Sequence, residues 1–243
     1  MTKIKFLETE FQNNKFLVEN IDPIILNTLR RMISYLLPIY AVEEIDFHIN
    51  DSVVIDEMLA NRIGLCPIKT PLINTGKKVT LSLDKQGPCT VYSKDFISND
   101  PDIVMAYDNI PITKLNEGEK INLDCFAVIG SGKDHVKYSS SIVSYSQLFE
   151  VDSSRTCEDC KNILDLVSKN ALNNSKPYLI DSNMQDLVVL QIEKCDKNCL
   201  KINSTNNYIL NLELIGQIDI KDLIKLSKRY VKEYFSVLKK KIK

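Results

Sequence analysis

Two amphipathic helices, one near each end of the chain, set the strongest limit on what this sequence can fold into. Asp22-Pro23 supplies an N-cap followed by proline at the first helical position. Around it Ile21, Ile24, Ile25, Thr28, Leu29, Met32, Ile33 and Leu36 follow the i, i+3, i+4, i+7 rule until Pro38 stops the helix. Asn27, Arg30 and Arg31 lie on the opposite face. A second helix, predicted over 220–243, carries Leu223, Leu226, Tyr230, Val231, Tyr234, Phe235, Leu238 and Ile242 on one side. The terminal helix is too long for one small sheet to cover. With their strands the two helices form an α+β layer, and two fates for the stripes stay open: packing within the monomer, or burial against a partner.

Everything else is bracketed by these helices. Residues 3–18 read as a β-hairpin turning at Gln12-Asn13-Asn14, and 41–55 as a strand. Asp56 is expected to cap a short helix through Ile63 that ends on a left-handed Gly64, followed by the loop Leu65-Cys66-Pro67-Ile68. From about 70 to 152, short apolar runs at 79–83, 90–92 and 121–129 alternate with turn residues, which predicts a mainly β subdomain. Residues 153–207 change character, with four of the seven cysteines, a short helix expected at 161–171 and Asn-rich connectors, and read as a separate small module. A buried strand over 208–215 leads into the last helix.

Composition narrows the function classes. With 243 residues the chain is long enough for one large domain or two to three small ones. A hydrophobic fraction of 44% with 26% charged residues predicts a folded, soluble protein with no membrane span. The N-terminal residues lack the apolar core of a secretory signal, so a reducing, cytoplasmic setting is expected for the cysteines. Two histidines leave almost no material for Ser-His-Asp or His-based metal catalysis. Gly130-Ser131-Gly132-Lys133 tempts a phosphate-loop reading, but Ala127 and Asp134 stand where that motif needs glycine and Ser/Thr. A loop between strands is the better reading, with His135 at the surface.

Cys157-x2-Cys160 and Cys195-x3-Cys199 form the most specific chemical signal. Two thiolate pairs of this kind complete a tetrahedral zinc site or hold an iron–sulfur cluster, and a small module gains from such a staple. Free or redox-sensitive thiols are the other reading of the same spacing. Cys66, Cys89 and Cys125 stand singly in apolar contexts as small core residues. Residues 221–243 hold nine Lys/Arg against two Asp/Glu, so a net −1 chain is segregated into +7 here and −8 elsewhere. Such a helix face either touches RNA, DNA or lipid, or is a solvated side beside a buried stripe.

Four segments in order resemble one family. Asn27-Thr28-Leu29-Arg30-Arg31-Met32, then Pro38, Ala41 and Val42, then Asp56-Glu57-x-Leu59-Ala60-x-Arg62-Ile63-Gly64-Leu65-x-Pro67 are similar to the signature of the RNA polymerase α/D assembly subunits. Gly130-x-Gly132-Lys133-x-His135-x-Lys137-Tyr138-Ser139 is similar to the segment that follows in the archaeal D subunits and their eukaryotic third-largest-subunit counterparts.

The resemblance implies an α+β fold in three parts: a discontinuous dimerisation domain of a sheet plus two long helices (1–46 with 208–243), an inserted β-rich domain (47–152), and a ferredoxin-like cysteine module (153–207). It implies a non-catalytic assembly subunit of a DNA-dependent RNA polymerase that pairs with subunit L, meets subunits N and P through 56–67, and docks the second-largest subunit through Arg30 and Arg31. DNA would be reached only through the complex. The subunit-interface residues so implied are Leu29, Arg30, Arg31, Met32, Ile33, Arg62, Tyr230, Tyr234 and Phe235. Cys157, Cys160, Cys195 and Cys199 would hold a three- or four-iron cluster, zinc or nothing, because one CxxC, one CxxxC and Leu200 depart from the tighter runs of cluster-bearing relatives. A reading from another class is a free-standing iron–sulfur or zinc redox protein using the same four cysteines.

Overall fold

The computed structural model describes residues 2–10, 12–72, 76–153, 158–172, 177–193 and 200–241. The fold is α+β, and its residues group into two compact units, one of 1–28 with 143–212 and one of 29–142 with 213–243.

The first unit is built on a five-stranded sheet. The hairpin forms as expected: β1 (Lys3–Glu10) pairs antiparallel with β2 (Asn13–Glu19), with Phe6 opposite Phe16 and their rings edge-to-face at 5.5 Å. β9 (Ser141–Ser153), β10 (Tyr178–Ile180) and β11 (Leu200–Leu214) complete the order β1-β2-β11-β9-β10. The strand expected over 208–215 therefore starts eight residues earlier, in a polar stretch whose alternation the apolar pattern did not reveal. Two helices, α3 (Glu158–Asn170) and α4 (Ser182–Glu193), share a small core with this sheet: Leu164, Val167 and Val188 pack with Val151, Ile180 and Leu200. The cysteine-bearing segment thus buries its apolar residues against strands of the sheet, and β10 extends that sheet by pairing with β9.

The second unit holds the larger core. β3 (Ile39–Asn50), β8 (Lys120–Gly130), β4 (Val79–Gln86) and β6 (Ile97–Ser98) form a sheet in the order β3-β8-β4-β6, while β5 (Cys89–Tyr92) pairs with β7 (Pro111–Leu115). β8 shows the period-2 pattern of a half-buried strand: Ile121, Leu123, Cys125 and Ala127 are all fully buried. Register aligns like with like, because Val79, Leu81 and Leu83 of β4 stand opposite Ala127, Cys125 and Leu123. Leu59 and Ile63 of α2 (Asp56–Gly64) close over this face.

Two local expectations are corrected at α2. Asp56 is the first residue inside the helix rather than its cap, and its carboxylate accepts from the Asn50 side-chain amide at 2.6 Å. Gly64 is not left-handed; positive φ occurs at Asn20, Gly76, Gly118 and Gly216, and the helix ends on Leu65 in a right-handed conformation. Cys66 and Cys125 are core residues as expected, and burial pushes their thiols up to about 11 and about 12, while Cys89 is half-buried against the same core.

The bracketing helices are α1 (Pro23–Tyr35) and α5 (Ile220–Lys241). Asp22 caps α1, its Oδ1 accepting from the Ile24 N–H at 2.7 Å.

Core position and surface position should separate cleanly in stability. Leu123→Ala, which empties a site with no exposure, is expected to cost about 2–5 kcal/mol in denaturant unfolding. Ile97→Ala, at 75% exposure, should stay within about 0.5 kcal/mol of the parent.

Candidate subunit-interface site

The two terminal helices keep much of their apolar stripe uncovered. On α1, Leu26 and Met32 are buried, whereas Ile24 is 75% and Ile25 54% exposed, and Leu29 and Ile33 are half-buried. Leu26, absent from the expected stripe, is the residue that faces inward. On α5, Leu223 and Leu226 are buried, but the distal half is open: Tyr230 and Val231 are half-buried, and Tyr234, Phe235 and Val237 are exposed. Side chains that would cost about 1.5–3 kcal/mol each to leave in water are thus presented in rows rather than singly. Arg30 is half-buried and Arg31 exposed on the polar side of α1, and Arg62 is exposed on α2.

The connection from β8 to β9 is the centre of the second unit. An α-helix ends with carbonyls that have no intrahelical partner, and this connection supplies donors to α1: Ser140 Oγ donates to Ile33 O at 2.7 Å and the Lys133 N–H to Tyr35 O at 3.1 Å. The same segment holds the approach to α5. The Ile215 N–H donates to Ser140 O at 3.3 Å, and Gln217 Nε2 to Ser139 O at 3.0 Å. From the other side the Thr70 N–H reaches Gln217 O at 2.8 Å and the Tyr107 hydroxyl reaches Ile215 O at 3.1 Å. Gly216, at φ +111°, leaves room for that tyrosine, whose oxygen would lie 2.2 Å from an added Cβ.

Glycine is required in the motif itself by close packing. A Cβ on Gly130 would lie 2.6 Å from the Tyr138 ring, and one on Gly132 would lie 2.9 Å from both Ser139 Oγ and Ser34 O. The glycines that imitate a phosphate loop are therefore packing residues, in keeping with the loop reading. His135 is exposed, and its Nδ1 accepts from the Lys137 N–H at 3.1 Å, capping a 3-10 turn over Val136–Tyr138.

Lys137 and Tyr138 fix β3. Lys137 Nζ donates to Val42 O at 2.9 Å and pairs with the Glu43 carboxylate, and the Tyr138 hydroxyl donates to the same Glu43 oxygen at 2.8 Å. Hydrogen bonding from Lys137 and Tyr138 holds the Glu43 carboxyl below its ordinary range, while burial, then the hydrogen bond to Glu43, raises the tyrosine. Beside this trio, a cleft of about 210 Å³ runs between β3, α2 and the loop, lined by Val42, Glu43, Ile45, Ala60, Asn61, Gly64, Leu65, His135 and Lys137. Leu65 of its lining is exposed, and so are Val53, Ile55 and Met58 in and just before α2. The motif segments separated by some seventy residues in sequence therefore meet at one surface.

Sequence reasoning found the segments but missed the residues that join them: Glu43, Tyr107, Ser140 and Gln217 carry no periodic or motif signal of their own. Glycines at 130 and 132 with an aromatic at 138 were the available hint.

Nothing assembles into a catalytic centre among the described residues. Ser82 Oγ and His48 Nε2 both hydrogen-bond to Asp124, at 2.5 and 3.1 Å, rather than to each other, so this serine and histidine do not form a nucleophile–imidazole pair. No group of three or more His, Cys, Asp or Glu among the described residues is placed to hold a metal. Cys157, Cys195 and Cys199 lie outside the described residues, and Cys160 is described only as backbone at the start of α3. Among the described residues no helix is long and apolar enough to cross a membrane.

Comparison with known proteins gives a consistent result. The family described as the RNA polymerase Rpb3/RpoA insert domain matches residues 52–156. DNA-directed RNA polymerase subunit Rpo3 of Pyrococcus furiosus is 31% identical, over 95% of this chain and 96% of its own length. Rpo3 of Archaeoglobus fulgidus is 28% identical over 93% and 92%. Rpo3 of Halobacterium salinarum is 39% identical over 61% and 60%.

Lys137→Met should lower stability at neutral pH by about 1–2 kcal/mol, the scale of a charge-assisted hydrogen bond. Because the folded Glu43 value is lowered, its contribution is present above the ordinary glutamate range and lost as pH falls through the folded value. Denaturation followed from pH 7 to pH 3 should therefore show the parent and variant curves converging on the acid side.

Proposed function

Since the chain belongs to the DNA-directed RNA polymerase subunit Rpo3 family, we propose that it is a non-catalytic platform subunit on which a DNA-dependent RNA polymerase assembles, in the cytoplasm. The observation that carries this reading is the pair of incompletely covered helices. Ile24, Ile25, Leu29 and Ile33 of α1, and Tyr230, Tyr234 and Phe235 of α5, offer apolar rows of the kind that a helical partner buries. The partner is a smaller subunit of the L type. Met32 is already buried within the chain and so is not part of the exposed row.

The three-part division fits this role: 1–46 with 208–243 for dimerisation, 47–152 as an inserted β-rich domain, and 153–207 as a ferredoxin-like module. Arg31, a rigidly based guanidinium on the polar side of α1, suits carboxylates or main-chain carbonyls of the second-largest subunit, with Arg30 beside it. The exposed apolar border of α2, with Arg62, is assigned to neighbouring subunits of the N and P type. Nucleotidyl transfer belongs to the assembled enzyme.

The cysteine quartet is assigned a metal-holding role within the module. Cys157 and Cys160 stand three residues apart in the sequence and Cys195 and Cys199 four, spacings that let each pair turn onto one metal. The free-standing redox reading is set aside, because the relatives named above are polymerase subunits.

Two experiments test these assignments. In co-expression with the small partner, Leu29→Asp should abolish heterodimer formation by placing a charge in the apolar row, whereas Arg31→Ala should leave the heterodimer intact and weaken capture of the second-largest subunit about tenfold or more. Unchanged capture by the Arg31 variant would remove that residue from the site. Anaerobically purified protein should contain either iron with absorbance near 400 nm or colourless zinc, lost in a Cys157→Ser/Cys160→Ser variant; neither metal would reject the quartet as ligands.

A further inference from the structure

The lysines of α5 fall in a single row. At about 100° per residue, Lys221, Lys225, Lys228, Lys232 and Lys239 all lie within about 40° of one line along the helix. All five are exposed. With about 1.5 Å of rise per residue the row spans roughly 27 Å. It runs opposite the side that buries Leu223 and Leu226 and carries Tyr230 and Tyr234, so a partner on that side leaves the lysines open, with Phe235 alone standing at their edge.

A merely solvated face does not favour this arrangement. Like charges at i, i+3 and i, i+4 destabilise a helix by a few tenths of a kcal/mol per pair, and ordinary surface helices intersperse signs to avoid it. Here the acidic residues stand aside: Asp222 reaches Lys225 at 2.9 Å and Glu233 reaches Arg229 at 3.0 Å, while Lys221, Lys228, Lys232 and Lys239 make no ion pair among the described residues. Lys225, Lys228, Arg229, Lys232 and Glu233 line a shallow hollow on this side. The remainder of the chain is acidic, so the row is a local feature and not the consequence of a basic protein.

We propose that the α5 lysine row is a track for the phosphate backbone of duplex DNA, bound without sequence readout. A straight, regularly spaced line of point charges complements a regularly charged strand, and lysine binds phosphate as a point charge. Duplex is favoured over single strand because the row offers a single aromatic, Phe235, edge-on to Tyr234 at 5.9 Å, while Tyr230 and Tyr234 lie on the other side, and stacking successive bases of a strand needs several such platforms. The expectation that DNA is met only through the complex is thereby extended to a direct, weak contact by this helix.

The test uses the full-length chain, in the complex in which it purifies, titrated into a labelled 20-base-pair duplex. Binding should weaken about a hundredfold between 50 and 200 mM salt, as neutralising roughly four phosphates requires. Lys228→Glu with Lys232→Glu should weaken binding at least tenfold at 50 mM salt and leave the co-purified partner unchanged. Absent or salt-insensitive binding, binding indifferent to the double reversal, tighter binding of the matching single strand, or equal competition by polyglutamate would each overturn the proposal. The last of these would make the row an acidic-polypeptide surface. Loss of the partner on the double reversal with DNA binding retained would also overturn the proposal, by placing the row in the partner interface, whereas a chain that binds DNA as described but purifies with no partner would count against the assembly reading alone.

Discussion

Within the second unit, the structure depends on one short connection giving its polar groups to elements far away in sequence. The β8–β9 segment caps the last carbonyls of α1 through Ser140 and Lys133, receives the approach to α5 on Ser139 and Ser140, and grips β3 through Lys137 and Tyr138. Each bond is worth about 1 kcal/mol net, and all but the Tyr138–Glu43 side-chain pair also satisfy a backbone carbonyl. Gly130 and Gly132 are the steric condition for this, since a side chain at either would push the segment off Tyr138, Ser34 or Ser139. A loop that in isolation looks like a degraded nucleotide-binding motif is a splint.

That splint explains how the apolar rows of the second unit can be left partly uncovered and still be held in place. The large core behind it, from Tyr40 through Ala127, is complete in itself. The second unit's share of the apolar rows on α1 and α5 therefore rests on a rigid base, and little ordering cost is left for the moment of association. The polar side of α1, with its two arginines, is held by the same bonds that end the helix. A partner on the apolar rows and another on the arginine side would meet a surface already in shape.

Much of this was legible in the sequence, for identifiable reasons. The hairpin, α1 with its Asp22 cap, the alternating strands β4 and β8, and α5 each carry a periodic signal or an N-cap that local physics reads directly. The first half of β11 and the whole of α4 did not announce themselves, because their burial is decided by neighbours in the sheet and not by their own pattern. Asp56 and Gly64 were misread since a preferred residue at a helix end does not ensure the cap geometry: Asn50 competes for the aspartate, and Leu65 ends the helix without a left-handed turn. Of the site, the uncovered rows and the arginines were visible. The Glu43–Lys137–Tyr138 trio and the Gln217–Ser139 contact were not, because they join positions about eighty to ninety-five residues apart and only the fold brings them together.

The central claim, that this chain is a platform within a polymerase, is tested most directly by what accompanies it. Affinity purification of the tagged full-length chain from its own cells, with the co-purifying chains identified and their ratios measured, should yield a small L-type partner at one to one together with the two largest polymerase subunits. Recovery of the chain as a lone, stable monomer, or with partners of an unrelated complex, would contradict the account.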